Sequence, residues 1–408
     1  MGIPNIRNHA EAKMIADIKG WLPVICLALA GFIFVTTELM PIGILPDLAR
    51  DLNKSEAFTG LLVTVYAWSV ALMSLPLTIA TARLDRRTLM LVLMSVFTVS
   101  QWLASVAATF PFLMAARLMT SLCHAVFWSI TAPLAVRVAP NGQPTKALTI
   151  VAAITSLAAI LGMPIGAMIS HSLGWRPVFV IIGVLALVIT LILFKYLPPA
   201  AGDTKDKIGM LKSVARNKSL LRIYLLTVLT VSGHFTAFTY MSPLLAKNGG
   251  FAPTTIAVLL LLLGCSGIVG NLIINRNFIN HPKMSMVLPL TILSGSLLAA
   301  HFASSTLAGA IFLCAIWGAS MGASSLVFQT SVLKKAPDAP DVANSIYSGI
   351  FNVGIGGGAL IGNNIFDHLG ISAVTFGGAV FVCLAAVLSL TTLREKQTPQ
   401  PKVHRAQD

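Results

Sequence analysis

Apolar residues dominate the chain in long runs, and the polar residues are confined to short breaks between them. Reading runs between charged or Gly/Pro-rich breaks predicts twelve helices near 21–45, 58–81, 88–108, 111–137, 146–171, 176–197, 221–246, 252–275, 284–303, 306–333, 342–366 and 371–393. Each has the length needed to cross a hydrocarbon layer about 30 Å thick, which takes about 20 residues of helix. The longest polar break, Pro198–Ser219, sits at the centre of the chain. The expected organisation is therefore a polar tail over 1–20, a six-helix bundle over 21–197, a linker over 198–220, a second six-helix bundle over 221–393 and a tail over 394–408. The predicted fold class is an all-α membrane protein with two pseudo-symmetric bundles around a central cavity.

Composition agrees with that pattern. Of the 408 residues, 56% are hydrophobic and 10% are charged, against about 25% charged in a soluble domain. The net charge of +14 does not indicate nucleic acid, because the basic residues are scattered through short loops. With the N-terminus on the cytoplasmic side, 23 of the 28 Lys and Arg fall in cytoplasmic loops and tails, four fall on the other face, and Arg117 alone lies inside a span. That asymmetry is the one the positive-inside rule predicts, with both termini cytoplasmic. No small-residue cleavage site follows the first apolar run, so it is expected to be retained as a span. The five cysteines lie inside apolar runs without metal-like spacing, and neither a metal nor a cofactor is expected.

The halves echo each other. Gly162, Pro164, Gly166, Ala167 and Ile169 align with Gly354, Gly356, Gly358, Ala359 and Ile361 at an offset of 192, and Ala139-Pro140 with Ala336-Pro337 at 197. Duplicated halves place a binding site near the midplane between bundles that rock against each other.

Every Asp and Glu except Glu38 falls in a loop, tail or span end. An unpaired carboxylate in hydrocarbon costs about 2.5–3.5 kcal/mol even on insertion scales, so Glu38 points to a coupling or substrate role or to a structural ion pair. Its neighbours Thr37 and Pro41 add a hydroxyl and a helix-loosening ring. Arg117 is its natural partner: at 1.5 Å per residue both lie about 10 Å below the outer face. The competing reading is that each reaches separately to the interface.

Arg117, Ser121, His124, Trp128 and Thr131 form one stripe at helical spacing on the fourth span, and such a stripe is expected to face a polar chamber. His124 is open to three readings: a core histidine, a substrate partner or a proton relay. Trp128 offers a stacking face for a sugar ring or an aromatic drug, or ordinary packing. In the second half, His234 falls near the midplane as a further proton-coupling candidate. Phe235, Tyr240, Gln329, Ser348 and Asn352 are candidates for substrate binding or for helix–helix hydrogen bonds.

Five segments carry a family resemblance: TTELMPIGILPDLA (36–49), YAWSVALMSLP (66–76), RLMTSLCHAVFWSITAPLAVRVAP (117–140), GMPIGAMISHSLGWRPVF (162–179) and SGIFNVGIGGGALIGN (348–363). Over essentially its whole length the chain resembles the twelve-span drug:proton antiporter branch of the major facilitator superfamily. Within that branch it is most similar to bacterial sugar efflux transporters that export arabinose or thiogalactosides. The resemblance implies a monomer in the bacterial inner membrane that handles protons, a small-molecule substrate and lipid. It also implies that Arg117 is the fourth-span arginine and that Gly162, Pro164 and Gly166 belong to the antiporter motif. The loop after span 2 departs from the family's gate motif: Ala82 stands at the aspartate position, while Arg83, Asp85, Arg86 and Arg87 surround it, with Asp85 a candidate substitute.

The implied activity is proton-driven efflux of sugars by alternating access, with Glu38 carrying the proton. Efflux of amphiphilic drugs is the alternative and would rest on Phe127, Trp128, Phe235 and Trp317. A membrane sensor would need an output domain, and no segment is long enough for one. An enzyme would need clustered acids, metal ligands or a nucleophile beside a base.

Overall fold

A computed structural model describes residues 6–202, 213–277, 281–337 and 340–392. The centre of the expected linker (203–212) and the distal tails (1–5 and 393–408) lie outside these residues. Among the described residues there is no strand, and twelve helices are long and apolar enough to cross a membrane. The first half comprises α1 (Ile6–Gly43), α2 (Leu45–Asp51), α3 (Glu56–Thr59), α4 (Leu61–Ala80), α5 (Arg86–Ser105), α6 (Phe110–Arg137), α7 (Pro144–Leu173) and α8 (Trp175–Tyr196). The second comprises α9 (Lys218–Phe238), α10 (Met241–Gly249), α11 (Pro253–Asn277), α12 (Pro282–Ala303), α13 (Leu307–Lys335), α14 (Pro340–Leu369) and α15 (Ile371–Thr392). The helices α3 and α4 together make the second span, Glu56–Ala80. The spans fall within a few residues of their expected positions; the exception is the seventh, expected to continue to 246, which breaks after Phe238.

Packing repeats between the halves. In the first, α1 packs along α7, α4 against α6, and α5 against α6 and α8; in the second, α9 packs along α14, α11 against α13, and α12 against α13 and α15. Two long-helix pairs make the main contacts between the halves, α4 with α14 and α7 with α11, and they exchange under the same correspondence. The repeat register can be read from the backbone. Helix α1 breaks before α2 at Ile44 (φ −109°, ψ 14°), and α9 breaks before α10 at Tyr240 (φ −109°, ψ 19°). The α7–α8 turn uses Gly174 at φ +85° and the α14–α15 turn uses Gly370 at φ +84°, backbone angles that favour glycine. Both pairs give an offset of 196. The sequence offset of 192 for the glycine motif is thus corrected by one helical turn: Gly162 corresponds to Gly358 and Gly166 to Gly362.

Close approach explains why those glycines are needed. A Cβ on Gly162 would come within 2.7 Å of Thr36 Oγ1 on α1, and one on Gly358 within 2.3 Å of the Ser232 carbonyl on α9. The α11–α13 crossing is as tight, a Cβ on Gly270 reaching 1.9 Å from the Ala319 carbonyl. Backbones packed this closely gain van der Waals contact where lipid offers no hydrophobic drive.

At the face carrying the α4–α5 loop and the start of the linker, here the linker face, Asp85 caps α5. Its Oδ1 accepts from Thr88 N (2.9 Å) and its Oδ2 from Ala200 N (2.9 Å). The Thr88 backbone N–H chiefly holds this carboxyl below its usual range, with help from Ala200. Arg86 donates to the carbonyls of Thr81 (3.3 Å) and Ala82 (3.0 Å), Arg87 donates to that of Phe194 (2.6 Å), and Arg83 is exposed. In this conformation the loop ties the linker to the first half.

The overpacking expected at the α11–α13 crossing can be measured. Gly270→Ala should lower stability by about 1–3 kcal/mol, read as a depressed thermal midpoint in detergent. Gly295→Ala, where a Cβ meets nothing within 4 Å, should leave the midpoint unchanged.

Candidate functional site

Pro41 sits inside α1 and has no N–H to give the carbonyl four residues earlier, which belongs to Thr37. Arg117 Nη1, from α6, donates to that carbonyl at 2.6 Å. Its guanidinium lies 4.3 Å from the centroid of the Tyr66 ring on α4, a cation–π geometry. Arg117 is 1% exposed, and its Nε and Nη2 meet no protein acceptor. One charged side chain thus joins α1, α4 and α6.

Glu38 follows Thr37 on α1, but it does not pair with Arg117 as expected. Its Oε2 lies 3.9 Å from His124 Nε2, and its side chain is 16% exposed. Arg117 does not reach separately to the interface, since it is sealed inside the first half.

His124 uses both ring nitrogens. Nε2 accepts from Trp128 Nε1 at 2.6 Å and Nδ1 lies 2.7 Å from the Tyr66 hydroxyl. An indole nitrogen can only donate, so Nε2 is the acceptor, and in the neutral ring Nδ1 carries the proton and donates to Tyr66. Trp128 is half-buried with its neighbours, whereas Phe127 is fully buried and stacks on Phe34 at 4.3 Å. The other members of the α6 stripe turn back on their own helix, Ser121 Oγ donating to Leu118 O and Thr131 Oγ1 to Phe127 O. The expectation that the stripe faces an open chamber is therefore corrected: Arg117, Ser121, His124 and Thr131 are buried inside the first half. Ser121 and Thr131 are satisfied within their own helix, His124 bridges Trp128 and Tyr66, and Arg117 is met by the Thr37 carbonyl and the Tyr66 ring.

The 196-residue register makes His234 the counterpart of Glu38. Its Nδ1 accepts from Trp317 Nε1 on α13 at 2.8 Å, and its ring stacks on Phe238 at 4.7 Å. Phe235 packs edge-on against His234. His234, Phe235 and Trp317 are all buried.

Tyr240 occupies the break between α9 and α10. It is fully buried, with its hydroxyl 3.4 Å from Ala57 O in the first half and 3.2 Å from Ala359 O in the second. Around it Ser242 Oγ donates to Gly43 O (3.4 Å), Lys247 pairs with Glu56 (2.6 Å) and Trp68 Nε1 donates to Val353 O (3.4 Å). These contacts join the halves at mid-depth and at the end opposite the linker face. Tyr240 thus belongs to this seal, and its expected place among substrate ligands is corrected for this conformation. Gln329 and Asn344 meet at 3.3 Å on α13 and α14, both towards the linker face. Asn352 Nδ2 donates to Ser348 O (3.0 Å), while its buried Oδ1 has no protein partner. Gly162 and Gly166 hold α7 against Thr36 and Met40 of α1, with Pro164 between them in α7.

Sequence reasoning missed Tyr66, Glu56 and Lys247. Tyr66 was detectable as a phenol inside a span, which is unlikely to go without a partner. Nothing local in the sequence pairs Glu56 with Lys247.

Comparison with known proteins adds the following. The family model described as Major Facilitator Superfamily matches residues 27–342. A protein of Mannheimia succiniciproducens named a probable sugar efflux transporter is 40% identical over 365 residues, covering 89% of this chain and 92% of that one. Among solved structures, a bacterial homologue of the human lysosomal transporter Spinster, inward-facing and unoccupied, superposes with TM-score 0.71 at 14% identity over 92% of this chain and 97% of that one. The nucleoside transporter NupG gives TM-score 0.72 at 12% identity, over 91% and 100%. At these identities the structures speak to fold alone.

A double-mutant cycle tests the Pro41–Arg117 relation. Arg117→Met leaves the buried Thr37 carbonyl unmet and should cost about 1–3 kcal/mol, seen as a lower thermal midpoint. Adding Pro41→Ala restores a helical N–H for that carbonyl and should recover part of the loss; strict additivity would refute the link.

Proposed function

Because the chain belongs to the major facilitator superfamily, we propose that it exports sugars or sugar-like small molecules across the bacterial inner membrane in exchange for protons. Positive charge on the linker face makes that face cytoplasmic and puts the Tyr240 seal on the outside. The halves are then held together on the outside, the closure that an inward-facing state requires.

The observation that carries the reading is Glu38. It is the one acid within a span's interior, partly exposed, beside His124 and next to the carbonyl that anchors Arg117. A proton moving down ~100 mV supplies ~2.3 kcal/mol and each pH unit about 1.4 kcal/mol, enough to concentrate a neutral solute. Arg117 is the fixed positive charge beside the titrating group, and His234, clamped by Trp317, positions α9 against α13.

A sugar is supported by the name of the 40% identical relative and by the amides of Gln329, Asn344 and Asn352, with Trp128 as a stacking face. Of the four aromatic residues on which drug efflux would rest, Phe127, Phe235 and Trp317 are buried within their halves, which favours the sugar reading.

Glu38→Gln should abolish export of a thiogalactoside driven by an imposed pH gradient in proteoliposomes, while counterflow without a gradient persists. Gradient-driven export at the wild-type rate would remove Glu38 from the coupling role. The outer seal has its own test. Glu56→Lys and Lys247→Glu should each increase labelling of a cysteine placed at Ser242, a small residue buried in the seal, by a membrane-impermeant reagent several-fold, in a background lacking native cysteines. Combining the two should restore protection.

A further inference from the structure

His124 and Trp128 hold a relation that proton exchange alone does not require. The Nε2 lone pair of His124 is the site nearest Glu38, at 3.9 Å, yet it is taken by the Trp128 N–H at 2.6 Å. The titratable or charged groups facing His124 are Glu38 from α1, Tyr66 from α4, and Arg117 on α6 itself; Phe34 closes the remaining side edge-on. Tyr66 already receives the Nδ1 proton. A proton leaving Glu38 towards the ring has Nε2 as its acceptor, and Trp128 blocks it. Trp128 itself is half-buried, unlike the sealed Phe127.

We propose that Trp128 is the positioning residue through which cargo discharges Glu38. A sugar that stacks on the indole turns its N–H away and opens His124 Nε2 to the Glu38 proton. In that step the Glu38 O–H bond breaks and an N–H bond forms at Nε2. Trp128 keeps its own proton and loses only its acceptor, and an imidazolium faces a carboxylate. Loading of cargo and deprotonation of Glu38 become one event. This inference rests on the coupling role of Glu38 given above.

The test is histidine nitrogen NMR on the full-length protein in nanodiscs, with the His124 signal assigned by His124→Gln. In the unmutated protein the neutral ring should carry its proton on Nδ1 and none on Nε2. Trp128→Phe keeps an aromatic ring but removes the donor. It should raise the His124 protonation midpoint by about one pH unit, a roughly tenfold gain in proton affinity of the size one hydrogen bond confers. Trp317→Phe, which breaks the pair on His234, should leave His124 unchanged. A neutral wild-type ring protonated on Nε2, or the same midpoint with and without the indole N–H, overturns the proposal. The tautomer is read without any substitution, so a misfolded variant does not protect the idea. The two readings fail separately. If Glu38→Gln stops gradient-driven export but Trp128→Phe leaves the midpoint in place, coupling stands and the indole switch falls. If the midpoint shifts but Glu38→Gln still exports, the block at Nε2 stands and its link to cargo falls.

Discussion

A guanidinium placed away from water must be met by oxygen or by π density, and Arg117 is met by both. The oxygen is available because a proline four residues later cannot use it, and the π face is a tyrosine from a third helix. Three spans are thereby fixed at one depth, next to the one carboxylate in the interior of a span. Were the Thr37 carbonyl satisfied within its own helix, the cation would turn to Glu38, and a permanent ion pair would replace a group free to titrate. The arrangement that stabilises the first half also keeps its acid unpaired.

The twelve spans were legible because apolar length alone sets them, although the break after Phe238 in the seventh was not, and Glu38 was conspicuous because a carboxylate inside such a run is costly. Arg117 was conspicuous for the same reason, but its partner was not legible. Depth along a helix can be counted from sequence, whereas rotation about the helix and competition among acceptors cannot. The repeat register failed for a related cause: in a stretch as rich in glycine as 354–362, several alignments one turn apart look equally good, and only backbone breaks at Ile44 and Tyr240 distinguish them. Glu56 and Lys247 lie on opposite halves, so no local pattern could join them.

Correct register exposes an asymmetry between similar halves. Equivalent positions hold Glu38 and His234, each just before the break in its helix. The first has a partly open environment and no strong partner; the second is held by Trp317 and covered by Phe238. The two halves supply matching frames, and side-chain chemistry leaves one of these positions partly open and the other closed over.

The Pro41 ring has a consequence for electrostatics. Because its effect is covalent, the tie between Arg117 and the Thr37 carbonyl does not depend on pH, and the positive charge beside the acid is constant. Exchange of one proton between this group of side chains and water would therefore toggle the local field between roughly balanced and net positive. A cationic solute would meet that field differently in the two states, whereas an uncharged one would experience little difference.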